Sequence, residues 1–141
     1  MFRKTSPQSS FFEVDRYFPD ALPGDDRSVI YKQKISPMID EEKFRHLYVM
    51  DKGRHDESIR TMLSLLIFMG IEKYTWRGAE FQFSRRIDWM LATNTPPGKA
   101  HIDHSTLFRF YGLLSGDDTC MDFFVELANA FVKSCGTSLK K

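Results

Sequence analysis

The chain has 141 residues, room for one domain. Twenty Lys and Arg against 19 Asp and Glu leave a formal net charge of +1, which excludes a protein that coats nucleic acid or anionic lipid through bulk charge. With 42% hydrophobic and 28% charged residues, wholesale disorder is excluded, and 13 Phe, 5 Tyr and 2 Trp supply bulky material for the core of so short a chain.

Residues 1–36 read as an irregular leader, punctuated by Pro7, Pro19 and Pro23, with turn chemistry at Gly24-Asp25-Asp26. Its first ten residues carry charge but no apolar run, so no secretory signal is expected. Phe11-Phe12 and Tyr17-Phe18 are expected to dock onto a domain rather than stand in solvent.

From Pro37 onward the pattern is helical. Asp40 is placed to cap a helix reaching about Met50, with Phe44, Leu47 and Tyr48 on its buried face and Asp51-Lys52-Gly53 ending it. Asp56-Glu57-Ser58 opens a second helix. Its apolar residues Ile59, Met62, Leu63, Leu65, Leu66, Ile67, Phe68 and Met69 cover nearly every face, the pattern of a helix enclosed by others. The apolar run from Met62 to Ile71 is interrupted by Ser64 and is about half the roughly 20 residues of a membrane span.

Thr75 caps a third helix with a stripe of Trp76, Ala79, Phe83, Ile87 and Met90, broken by Asn94-Thr95-Pro96-Pro97-Gly98. Asp103 opens a fourth with Leu107, Phe110, Tyr111 and Leu114 inward. After the turn Ser115-Gly116-Asp117-Asp118, Thr119 and Asp122 have capping-box spacing. They introduce a fifth helix with Met121, Phe124, Val125, Ala128, Phe131 and Val132 in register and Gly136 as its stop. No segment alternates with a period of two, so the expected fold is all-α: a compact bundle of about five helices over residues 37–136, with 137–141 as a tail. Cys120 and Cys135 lack both zinc-site spacing and disulfide density, and read as reduced cysteines on or near a helix. An intracellular, non-membrane protein is expected.

Local charge is more informative than the total. Between Lys73 and Arg109 six basic residues (Lys73, Arg77, Arg85, Arg86, Lys99, Arg109) face three acidic ones (Glu80, Asp88, Asp103), with His101 and His104 alongside. From Phe110 to Val132 the charged residues are Asp117, Asp118, Asp122 and Glu126, all acidic. The fourth helix turns His104, Ser105, Phe108 and Arg109 outward near its start, where the second helix of a helix-turn-helix enters the major groove. The long Ala92–Ile102 connection makes this a loose variant of that motif.

Asp103-His104-Ser105-Thr106-Leu107 followed by Arg109-Phe110 resembles the D-H-S-T-L…R-F signature of the N-terminal domain of bacterial insertion-sequence transposases of the DDE class, InsH-like in the wide sense. Gly53-Arg54, the Leu-rich run to Phe68-Met69-Gly70-Ile71, Asp88-Trp89-Met90-Leu91 and Phe123-Phe124-Val125-Glu126-Leu127 follow in matching order, over about residues 38–136. His55 stands where the family often has proline, and Glu72-Lys73-Tyr74 lengthens the next turn. The resemblance implies a helical domain that binds the double-stranded ends of a transposon in the bacterial cytoplasm, at the nucleoid. It also implies that strand transfer belongs to a separate ribonuclease-H-like domain with three carboxylates and magnesium. No cofactor and no strand-transfer activity are therefore expected of this chain alone.

On that reading Arg77, Arg85 and Arg86 contact phosphates, Ser105 and Arg109 lie near base edges or backbone, and His104 strengthens a phosphate contact when protonated. A metal site at His101-Ile102-Asp103-His104 and nucleophilic chemistry at either cysteine are disfavoured, because Asp103 serves as a cap and no base-orienter pair is in sequence reach. The alternative function is a helical oligomerisation or protein-interaction module, suggested by Phe108 and the aromatic excess.

Overall fold

The computed structural model describes residues 26–47 and 58–135, and these contain helices and no strand. The all-α expectation holds for them. The aromatic pairs of the leader, Tyr48 and the helix end from Met50 to Asp51-Lys52-Gly53, His55, Asp56-Glu57, Gly136 and the tail lie outside the described residues.

The last part of the expected leader is helical, which corrects the irregular reading of residues 27–36. Asp26 accepts the Ser28 backbone N–H at 3.0 Å and caps α1 (Arg27–Ile30), which widens into a π-helical turn over Tyr31–Ile35. Pro37, with no N–H to give to the ladder, sits in the tighter turn Ser36–Met38 that follows. Tyr31 and Ile35 are fully buried in the core, so tertiary packing overrides the turn-rich sequence just before them.

Asp40 caps a short 3-10 turn, Glu41–Phe44, with Phe44 and Leu47 buried. Ser58 then caps α2 (Ile59–Glu72), its hydroxyl accepting from the Thr61 N–H at 3.3 Å. Every side chain from Met62 to Met69 is buried. Lys73 closes α2 in the left-handed conformation (φ 64°), and the Tyr74 N–H reaches back to the Met69 carbonyl at 2.9 Å.

The expected third helix is two helices, α3 (Trp76–Phe83) and α4 (Ile87–Thr93). The break falls at Arg86, whose backbone is extended (φ −100°, ψ 120°). Neither glycine nor proline marks it; an ion-pair network around the Arg86 side chain holds the new direction. Asn94, left-handed at φ 56°, ends α4, and the loop beyond is pinned by buried Ala100 and Ile102.

Asp103 caps α5 (His104–Ser115) as expected, with Leu107, Phe110 and Leu114 buried and Tyr111 half-buried. For α6 (Asp118–Cys135) the Thr119–Asp122 box does not form. Asp117 caps instead, accepting from the Cys120 N–H at 3.0 Å. The buried face is Cys120, Leu127, Phe131 and Cys135, while Val125 and Val132 are exposed at 46% and 44%. The inward face is thus turned by about one residue from the expected stripe, as set by the packing of α6 on the Tyr31–Ile35 segment, α1 and α5.

The helices assemble around α2, which packs on α3, α4, α5 and the Glu41–Phe44 turn, while the π-helical segment bridges α6 and α4. Tyr31, Phe68 and Phe131 meet as an aromatic trio, each pair with ring centroids 5.1–5.5 Å apart. Two of the polar clusters buried among the described residues fix how the chain before α2 lies on this core. The Ser64 hydroxyl donates to the Arg60 carbonyl at 2.7 Å and lies 2.7 Å from the Tyr31 hydroxyl. Burial pushes the Tyr31 phenol well above its ordinary range, partly opposed by this hydrogen bond, and so keeps it neutral. Arg60, with its side chain 7% exposed, donates to the carbonyls of Ser36 and Ile39 and pairs with the fully buried Glu41 carboxylate at 3.7 Å.

Breaking one half of a buried ion pair strands the other charge. Glu41→Ala is expected to destabilise the fold by about 3–5 kcal/mol, read as a lower urea midpoint.

Candidate nucleic-acid interface

Helix α3 buries Ala79 and Phe83 and so turns Arg77 and Phe81 outward. Thr75 fixes its start by accepting the Gly78 N–H at 3.0 Å. Just past its end Arg85 folds back, its guanidinium 3.8 Å above the Phe81 ring and Nη1 donating to the Ser84 hydroxyl at 2.8 Å. Arg77, Glu80, Phe81, Ser84 and Arg85 join His101, from the loop before α5, around an open concavity of about 420 Å³. Phe81 is 52% exposed. The position carries no apolar periodicity, but Arg77, Phe81 and Arg85 recur every four residues, a signal the sequence offers and the core-stripe reading passes over.

Helix α5 packs on α3. Its outer side carries Ser105, Phe108 and Arg109. Phe108, 57% exposed, sets its ring edge against Trp76 at 5.2 Å, and Trp76 also meets Tyr111 at 5.7 Å. Arg77 and Arg109 are exposed and have no ion-pair partner among the described residues.

The first turn of α5 is committed internally. A Glu80 carboxylate oxygen accepts the His104 backbone N–H at 2.9 Å and lies 2.8 Å from its Nδ1. Asp103 accepts both the N–H, at 3.0 Å, and the hydroxyl of Ser105. These contacts hold the carboxyls of Glu80 and Asp103 below their usual range, the His104 side chain being the main cause for Glu80 and the Ser105 hydroxyl for Asp103. Two carboxylates therefore occupy the place where an exposed helix N-terminus would attract phosphate. The structure thus brings Glu80, Asp103 and His104 together, whereas His101 faces the concavity.

Arg86 stands apart from the other expected arginines. It is half-buried and holds Asp88 in a two-pronged contact (Nη2 at 2.6 Å, Nε at 3.0 Å), with Glu72 on its remaining side. Glu72 also accepts from the Trp89 indole at 3.4 Å, so Arg86 ties the end of α2 to the start of α4. Opposed by its own burial and favoured by these two carboxylates, its guanidinium stays firmly charged. Of the six expected residues, Arg77 and Arg85 share one surface, and Ser105 and Arg109 another beside it. His104 and Arg86 are occupied within the fold.

A family model described as a transposase domain (DUF772) matches residues 20–113. The match takes in α1 to nearly the end of α5, including the Asp103–Leu107 motif. No curated protein and no solved structure matches the chain.

The Glu80 contact has a pH signature. A carboxyl depressed in the fold stabilises it above its ordinary value of about 4.3, and that contribution is lost as pH falls through the lower folded value. His104 and Asp103 are the titratable groups facing it. Glu80→Gln should therefore flatten the acid limb of the thermal-midpoint profile, leaving the neutral limb parallel to the parent; circular dichroism melts check this.

Proposed function

The chain belongs to the transposase domain (DUF772) family, and from that membership we propose that it is the DNA-recognition part of a transposase, gripping the double-stranded ends of its element. The observation that carries the reading is the pairing of unengaged or solvent-facing arginines with exposed aromatic rings on adjoining faces of α3 and α5. Arg77 and Arg85, with His101 lining the same concavity, meet phosphates; Ser105 and Arg109 lie toward the groove. Arg86 and His104 act one step back, shaping the helices that carry these groups.

On the same reading this domain recognises DNA and a separate domain of the DDE class supplies strand transfer. Two-metal phosphoryl transfer needs clustered carboxylates. The convergent groups among the described residues, Glu80-Asp103-His104 and His46-Asp117-Cys120, hold two carboxylates and one respectively. A bacterial cytoplasmic, nucleoid-associated setting goes with this role; among the described residues no helix is long and apolar enough to cross a membrane. The exposed Phe81 and Phe108 favour a second reading, self-association through this face. Salt separates the two, because phosphate contacts weaken steeply as counterions are released and apolar contacts do not.

Gel-shift titrations against terminal-repeat and random duplexes at several salt concentrations test the proposal. Arg77→Ala and Arg85→Ala should each weaken both duplexes and lower the salt slope by about 1. Arg109→Ala should cost about 1–3 kcal/mol of discrimination if it reads a base. Arg86→Ala should lower the thermal midpoint while the folded protein keeps its affinity. Unchanged binding in an Arg77→Ala, Arg85→Ala double variant would overturn the assignment.

A further inference from the structure

Away from this surface, the turn after Glu41–Phe44 meets the first turn of α6. His46 Nε2 lies 2.7 Å from Asp117 Oδ2 and 3.6 Å from Cys120 Sγ. All three ligand atoms fall within 4.8 Å of one another. We propose that His46, Asp117 and Cys120 form a divalent-metal site of the zinc class, tying these two segments together.

The spacing suits the ion. With zinc–nitrogen and zinc–sulfur bonds of about 2.0–2.1 and 2.3 Å, tetrahedral angles separate the nitrogen and sulfur by about 3.6 Å. The observed separation is 3.6 Å. The imidazole and carboxylate, hydrogen-bonded at 2.7 Å, need to part by less than about 1 Å to admit the metal between them. Both retain the freedom to do so, the His46 side chain being 50% exposed and that of Asp117 24%.

The donors are also built in. Cys120 is fully buried in the first turn of α6, and Asp117 is oriented by accepting the Cys120 N–H on its other oxygen. One thiolate, one imidazole and one carboxylate select zinc over magnesium or calcium, which prefer oxygen alone. The two anionic ligands balance the charge of the ion, and the solvent side at His46 leaves a fourth position for water or an added donor. The Glu80-Asp103-His104 group offers no sulfur, and its oxygens already cap α5. His46 lies 71 residues before Asp117 and 74 before Cys120 in sequence, so a bound ion would act as a clasp on the tertiary fold.

Chelator-treated full chain is titrated with cobalt(II) as the spectroscopic probe and zinc as competitor, with circular dichroism confirming the helical content of each variant. A stoichiometric amount of cobalt should give a thiolate charge-transfer band in the near ultraviolet, which zinc abolishes by displacement. Cys120→Ser should lose the band and Cys135→Ser keep it. His46→Ala and Asp117→Asn, the latter preserving the cap, should each weaken zinc binding about tenfold or more. Zinc should raise the thermal midpoint of the parent and not of His46→Ala. No band in the parent, a band retained in Cys120→Ser, or a band lost in Cys135→Ser overturns the site. If Cys120→Ser does not fold, the exposed His46→Ala variant decides: undiminished zinc affinity there refutes the proposal.

Discussion

A helix apolar on all sides cannot end at a surface, and α2 imposes that condition on every other described element. From Met62 to Met69 every side chain is buried, so α3, α4, α5 and the Glu41–Phe44 turn are spent in covering it. Each fully buried Leu, Ile or Met there contributes about 1.5–3 kcal/mol, but apolar burial alone does not say which element covers which side. The polar exceptions supply that choice. Ser64 takes the Tyr31 hydroxyl, and Arg60 takes the Ser36 and Ile39 carbonyls with Glu41, so the chain from α1 to Glu41 has one satisfied way to lie. An alternative packing that lost these partners would strand a guanidinium in the core, at a cost no extra methylene recovers.

The same competition between burial and charge sorts the basic block. Lys73 to Arg109 carries twice as many basic as acidic residues, but its basic members meet different surroundings. Arg86, half-buried, is held by two carboxylates and serves the join between α2 and α4. Arg85, one residue earlier, lies in solvent over an aromatic ring and keeps its charge available. His104 turns inward to Glu80, while His101 looks into the concavity with Arg77. A near-neutral protein can present a positive face in this way, because most of its described acidic residues are spent on caps and ion pairs or grouped along α6.

Much of the fold was legible from local chemistry. Thr75 and Asp103 each cap the helix their side chains announced, Ser58 caps the helix that Asp56-Glu57-Ser58 was read to open, and the all-round apolar run of α2 declared its central place. The failures share one cause, long-range partners that periodicity does not encode. The break between α3 and α4 depends on Glu72, 14 residues from Arg86, and the burial of Tyr31 depends on Ser64, 33 residues away. The α6 stripe was misread because its inward face is set by packing on the distant Tyr31–Ile35 segment and α1, with Phe131 against Tyr31. At the candidate surface, the D-H-S-T-L motif opens α5, and its Asp103 carboxylate, Ser105 hydroxyl and His104 Nδ1 turn out to hold the helix start. Phe81 was missed because an exposed aromatic leaves no core periodicity. The His46-Asp117-Cys120 group joins segments that nothing in sequence order connects.

The claim that α3 and the outer side of α5 are where DNA lies is tested most directly by amide chemical shifts of the isotope-labelled chain, recorded as a terminal-repeat duplex is added. The predicted result is a contiguous set of perturbed amides from Arg77 to Arg85, at Lys99 and His101, and along Ser105, Phe108 and Arg109, diminishing as salt is raised. Perturbations confined to α6, or spread evenly over the fold and indifferent to salt, would contradict it.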